Sequence, residues 1–229
     1  MTMGTHKIAL PAVLLLFFVV SPTAAGEADW QMWSGVFARD IRPESAFDYS
    51  VEYQVRLKED MSALKVHYFE LYALYKAGHG VTAYSGYRFS IRPDRNEQRL
   101  FAGLFYRHAL RKEGKEPENR RLVLTHQVMV QRDLNAKYND VLLDSSTFRY
   151  AMYFEKRVSH HWVPTLIVGG IYTWNSEFTG VDLLRAAAGV RYIRNNGDRI
   201  QMLFVREKSM AMEPNRHANI IWLRYEVMF

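Results

Sequence analysis

The sequence predicts an all-β protein: an antiparallel up-and-down transmembrane β-barrel following an N-terminal signal peptide. Three features predict it. An apolar leader is too short to cross a bilayer, long segments alternate apolar with polar residues, and the last such segment ends on an aromatic residue.

The leader comes first. Lys7 precedes an apolar run of 13 residues, Ile8 to Val20, and Ser21-Pro22-Thr23-Ala24-Ala25-Gly26 follows. A basic start, a short apolar core and small residues make a secretory signal, whereas a membrane helix needs roughly 20 apolar residues. The chain therefore divides into a signal peptide, 1–26, and a single barrel domain, 27–229, with no Gly/Ser-rich or Pro-rich linker. Loss of the leader lowers the net charge from +6 to +5. The sequence has no cysteine, which excludes a lipoprotein anchor, disulfides and thiolate metal sites. Arginines are spread along the chain rather than gathered in a patch, which argues against a nucleic-acid partner. The expected partners are the lipid bilayer, lipopolysaccharide and the barrel-assembly machinery, and the expected location is the bacterial outer membrane.

The strands follow in order. From Phe47 to Lys58, Phe47, Tyr49, Val51, Tyr53, Val55 and Leu57 alternate with Asp48, Ser50, Glu52, Gln54, Arg56 and Lys58. Period-two alternation puts the apolar set on one face and the polar set on the other. At the C-terminus, Ile221, Leu223, Tyr225, Val227 and Phe229 repeat the pattern. Tyr225, Val227 and the terminal Phe229 resemble the assembly signal of outer-membrane barrels. Eleven strand-like segments result: 30–41, 46–58, 63–76, 80–91, 97–110, 119–133, 146–158, 162–174, 182–194, 199–208 and 218–229. Turn residues separate them at Gly78-His79-Gly80, Arg92-Pro93-Asp94, Asn195-Asn196-Gly197-Asp198 and Glu213-Pro214-Asn215.

Bacterial barrels have even strand numbers, both chain ends in the periplasm, and short periplasmic turns. Counted back from Phe229, long and short connections alternate, with the charged stretch 111–118 as the exception. The segment 30–41 breaks the even count. The simplest reading is ten strands over 46–229, with 30–41 as a partial strand or inner segment; twelve strands is the alternative.

With the apolar faces toward lipid, the inward positions include Glu52, Arg56, Glu70, Arg88, Glu97, Arg99, Arg121, Arg149, Glu155, Arg157, Arg185, Arg191, Arg224 and Glu226. The outward set includes Tyr87, Phe89, Leu100, Leu104, Tyr106, Phe148, Tyr150, Phe154, Leu184, Val190 and Tyr192. Arginine forks can grip carboxylates on neighbouring strands, so this network would fill and brace the barrel. The excess of arginine also allows a narrow anion-preferring channel. The tryptophans and tyrosines suit interfacial girdles, although a soluble lipocalin-like barrel would bury them instead. No catalytic residue is predicted: His126 has no serine at a spacing that shares its strand face, and Ser145 lies in a loop. The histidines lack metal-ligand spacing, so no metal or cofactor is expected. An envelope lipid-modifying enzyme built on His126 or Ser145 is the least favoured alternative.

The order of short motifs resembles the DUF2490 group of predicted outer-membrane barrels. The motifs are Asp29-Trp30, the Tyr49–Arg56 strand, Gly86-Tyr87-Arg88-Phe89, Glu97-Gln98-Arg99-Leu100, Phe148-Arg149-Tyr150, Leu184-Arg185 with Gly189-Val190-Arg191-Tyr192, and the closing stretch from His217 to Phe229. The resemblance implies a membrane barrel over nearly the whole mature chain. It brings no activity, cofactor or functional residue with it.

Overall fold

The computed structural model describes residues 28–110, 122–134, 145–174, 179–210 and 217–229, and the backbone of 136–138 and 141–143. The signal-peptide reading and Arg121 lie outside the described residues. The described chain contains thirteen strands: β1 Asp29–Asp40, β2 Phe47–Lys58, β3 Ala63–Gly78, β4 Val81–Ile91, β5 Asn96–Ala109, β6 Leu122–Asp133, β7 Ala136–Tyr138, β8 Val141–Leu143, β9 Ser146–Lys156, β10 Trp162–Trp174, β11 Thr179–Ile193, β12 Arg199–Ser209 and β13 His217–Met228. Eleven of them close into a barrel in the order β1-β13-β12-β11-β10-β9-β6-β5-β4-β3-β2. The short hairpin β7–β8 stands between β6 and β9 as a separate two-stranded sheet.

Neither ten nor twelve strands is correct. The segment read as a partial strand is a full wall strand: β1 pairs antiparallel with β2 and parallel with β13, from Asp29 opposite Ala218 to Arg39 opposite Met228. Backbone bonds from the Ile41 amide to the Phe229 carbonyl (2.9 Å) and from the Phe229 amide to the Arg39 carbonyl (3.1 Å) finish the seam. The even-number argument fails because it assumes antiparallel closure; with a parallel seam, Asp29 and Phe229 sit on opposite rims. Alternation hid the strand because both faces of β1 are apolar. Trp33 and Phe37 share the inward row with Gln31 and Arg39, while Trp30, Met32 and Val36 point outward.

Connection length does not distinguish the rims either, contrary to the long-short alternation expected. The Phe229 rim carries connections 41–46, 79–80, 110–121, 157–161 and 194–198. The Asp29 rim carries 59–62, 92–95, 134–145, 175–178 and 210–216. Several gaps shrink because the strands run further than the alternation suggested; β11 begins at Thr179 rather than 182. The tight Gly78-His79-Gly80 corner does behave as a turn: all three residues have positive φ, which glycine tolerates best. At Gly80 a Cβ would lie 2.1 Å from the Arg107 carbonyl oxygen, so no larger residue fits.

The two faces of the wall separate as the alternation predicts. On β2, Tyr49 is 51% exposed while its neighbours Asp48, Glu52 and Gln54 are 1%, 4% and 0% exposed. Leu71, Leu100, Leu104, Phe148, Tyr150 and Leu184 are likewise exposed on the outer face. Inside lie charges and two apolar clusters. One joins Trp33, Ile167, Ala187, Leu203, Val205 and Ile220 from β1 and β10–β13. The other joins Leu74, Tyr84, Phe101 and Met129 from β3–β6. Glycines make room for the second: Phe101 and Tyr84 lie against Gly86 and Gly103, where a Cβ would come within 2.2 Å and 2.6 Å of those rings and their substituents.

Candidate functional site: the charged lumen

Cross-strand register builds the interior. Inward residues at directly opposed positions run Arg199–Glu226–Phe37–Glu52–Glu70–Arg88–Arg99–Asp133, across eight strands from β12 through the seam to β6. Neighbouring strands bring opposed side chains within about 5 Å at Cβ, close enough for long charged groups to pair. Arg88 grips Glu70 with a bidentate contact, Nε to Oε2 at 3.1 Å and Nη2 to Oε1 at 3.0 Å. Arg99 pairs with Asp133, and Arg199 reaches Glu226 at 3.6 Å. Arg224 spans β1 above Gly35 to reach Glu52 at 3.5 Å, and Glu226 at 3.6 Å.

Further pairs complete the network. Arg185 holds its cross-strand partner Glu207, and Arg191 holds Glu155 at 2.8 Å. Asp48 receives both Arg39 (2.9 Å) and Lys76 (2.8 Å) near the Phe229 rim. Glu97 receives Arg92 and Arg95 near the Asp29 rim. Arg56 has no carboxylate: it donates to Gln54 (2.6 Å) and Tyr68 (3.2 Å) and stacks 4.0 Å from the centre of the Trp33 ring.

Of the sequence-predicted lumen residues, the structure therefore brings Glu52, Arg56, Glu70, Arg88, Glu97, Arg99, Arg149, Glu155, Arg185, Arg191, Arg224 and Glu226 to the inner face. Arg157 is different. It lies just past β9 and donates to the Ser159 and His160 carbonyls at the rim. Sequence reasoning missed Arg39, Asp133, Arg199 and Glu207 as partners. It also missed the apolar share of the interior, because β12 carries Ile200, Met202 and Phe204 outward and Leu203 and Val205 inward. Strands apolar on both faces give no period-two signal.

Between the two apolar clusters lies a cavity of about 370 Å³. Its lining reaches Arg39, Arg199 and Met228 toward the Phe229 rim but includes none of Gln31, Lys65, Glu97, Arg99 or Glu207 toward the Asp29 rim. Ala151, Gly169 and Ala187 supply its volume, since small inward residues on β9–β11 leave the middle of the barrel unfilled.

The residues weighed for catalysis are not brought together. His126 lies on the face it shares with the exposed Val128 and Val130, its Nδ1 is 2.7 Å from the Tyr150 hydroxyl, and its ring stacks on His108. Ser145 closes β6 against β9 at the Asp29 rim, its carbonyl accepting from the Asp133 amide. Among the described residues no three histidine or acidic side chains gather as metal ligands. At the closing strand, the Tyr225 hydroxyl donates to Asp198 at 2.6 Å, and Phe229 is 69% exposed.

The fold and its inner face define a class: a closed, mostly antiparallel eleven-stranded β-barrel with an apolar exterior and an ionic interior. No family model matches the chain, and no curated protein matches it.

Proposed function

We propose that this protein is a bacterial outer-membrane β-barrel without a catalytic role, whose interior braces the wall instead of passing solute. The observation that carries the reading is sidedness. A soluble ligand-binding barrel buries its apolar faces, and this one turns them outward while pairing charges within.

Girdle spacing supports it. Trp162 and Trp174 stand exposed at the two ends of β10, twelve residues apart. At about 3.3 Å per residue they are about 40 Å apart along the strand, and a tilt of about 45° brings the vertical spacing to about 28 Å, near the thickness of a membrane. Phe47, Tyr75, Tyr106 and Trp162 add to the belt at the Phe229 rim, and Trp30, Tyr172 and Trp174 to the other. With the C-terminus in the periplasm, as the assembly-signal reading requires, the Asp29 rim faces outward. The exposed Arg206 and Lys208 near that rim then suit the phosphates of lipopolysaccharide. The resemblance to the DUF2490 group agrees with this reading.

A small anion channel would also place arginine in the lumen, but it needs a path between both rims. Planar-bilayer recordings separate the two: the braced barrel gives no conductance steps, and a channel gives steps altered by Arg99→Glu or Arg149→Glu. Fractionation to the outer membrane with gel mobility that changes on boiling is expected. A soluble protein whose mobility is unchanged by boiling would overturn the proposal.

A further inference from the structure

The lumenal charges do not balance. Six of the eight arginines that line the cavity pair with a carboxylate: Arg39 with Asp48, Arg88 with Glu70, Arg185 with Glu207, Arg191 with Glu155, Arg199 with Glu226 and Arg224 with Glu52. Arg56 and Arg149 are left over.

Register explains why. Arg149 stands directly opposite Met129 on β6 and Ile171 on β10, so no acid can reach it from a neighbouring strand. Arg56 stands opposite Trp33 and Val66. Among the described residues Arg149 has no hydrogen-bond or ion-pair partner, and its Nε is buried without an acceptor. The charges that act on it most strongly after burial are other guanidinium groups, those of Arg88, Arg99, Arg185 and Arg56. A guanidinium whose buried Nε has no acceptor and no carboxylate nearby is costly, and an apolar residue of similar volume would avoid the cost.

We propose that the cavity around Arg149 and Arg56 is a binding site for a small oxyanion carrying two or more negative charges, a phosphate or a di- or tricarboxylate, entering from the Phe229 rim. Two guanidinium groups without a carboxylate partner match such a charge, and the unbonded fork of Arg149 gives bidentate geometry to either oxygen chemistry. The Tyr68 and Tyr153 hydroxyls lie on the same lining, and about 370 Å³ admits a ligand of citrate size. Entry from one side needs no path through the barrel, so the site goes beyond the braced-barrel reading and is compatible with it.

The test uses the mature chain in detergent micelles at low ionic strength, titrated calorimetrically with inorganic phosphate and, in a second arm, citrate. Saturable binding of one or both is expected, with a rise in unfolding temperature; the arm that binds more tightly identifies the chemistry. Arg149→Gln and Arg56→Gln should each weaken binding about tenfold or more. Arg149→Gln removes an unpaired charge, so without anion it should unfold no more easily than the parent, which shows that it folds. Arg157→Gln, at the rim, should bind as the parent does. No saturable binding in either arm, or binding unchanged in both lumenal variants, overturns the site. Conductance steps would instead overturn the braced-barrel reading, whatever the titration gives.

Discussion

The two halves of the barrel interior solve the same problem with different chemistry. Along β2–β4 the buried inward residues are mostly polar, Asp48, Ser50, Glu52, Gln54, Tyr68, Glu70, Arg88 and Ser90, with Val66, Leu74 and Tyr84 among them. Along β10–β13 it is led by Val163, Ile167, Ala187, Leu203, Val205 and Ile220. The polar half is held by pairs that each need a partner, and the apolar half by contacts that tolerate loss more gradually. A barrel that bounded an open aqueous pore would have no reason to bury Val205 and Ile220 at 0% exposure. The contrast therefore points to an interior packed along part of its wall around a cavity, rather than to an open pore.

The largest effect should come from breaking the polar half. Glu70→Ala strands the buried Arg88 guanidinium and should cost about 4 kcal/mol in denaturant unfolding, whereas Glu70→Leu with Arg88→Leu should cost much less. If the double replacement is as damaging as the single one, the pair is not what makes this half stable. Leu203→Ala probes the apolar half and should cost about 3 kcal/mol, since the side chain is 1% exposed. A loss of only a few tenths would mean that the interior there is wet and loosely packed. On the outer face, Leu104→Arg should cost about 2 kcal/mol in lipid and far less in a charged detergent; an equal cost in both would argue that lipid does not cover it.

The smallest effect belongs to the rim. Asp198 lies in the turn before β12, where the Tyr225 hydroxyl and the Asn196 side-chain amide hold its carboxyl below the usual carboxylate range. The ionised form is favoured in the folded state. Its contribution is thus present above the ordinary aspartate value, near about 3.9, and is lost as pH falls through the lower folded value. Stability measured across that acid window should fall less steeply in Asp198→Asn than in the parent, and identical slopes would remove the turn from the account.

Legibility of the sequence follows the same division. β2 could be read residue by residue because its two faces differ in chemistry, and from it came the sidedness of the wall and residues such as Glu52 and Arg56. β1 and β12 could not, because tryptophan, leucine and valine occupy inward positions as well as outward ones. The strand number was missed for that reason and because parallel pairing of β1 with β13 leaves no mark in either strand alone. Charged inward positions were legible, but their pairing was not. Which carboxylate meets which guanidinium depends on register between strands, and so the isolation of Arg149 between Met129 and Ile171 emerges only from the closed barrel.

Sidedness is most directly measured with nitroxide labels placed one at a time at Tyr49, Ser50, Val51, Tyr53 and Gln54, using single cysteines in a chain that otherwise has none. In lipid vesicles, Tyr49, Val51 and Tyr53 should be relaxed strongly by membrane-dissolved oxygen, and Ser50 and Gln54 only weakly. An inverted pattern, or equal oxygen access at all five positions, would contradict a barrel that turns its apolar face to lipid and its charges inward.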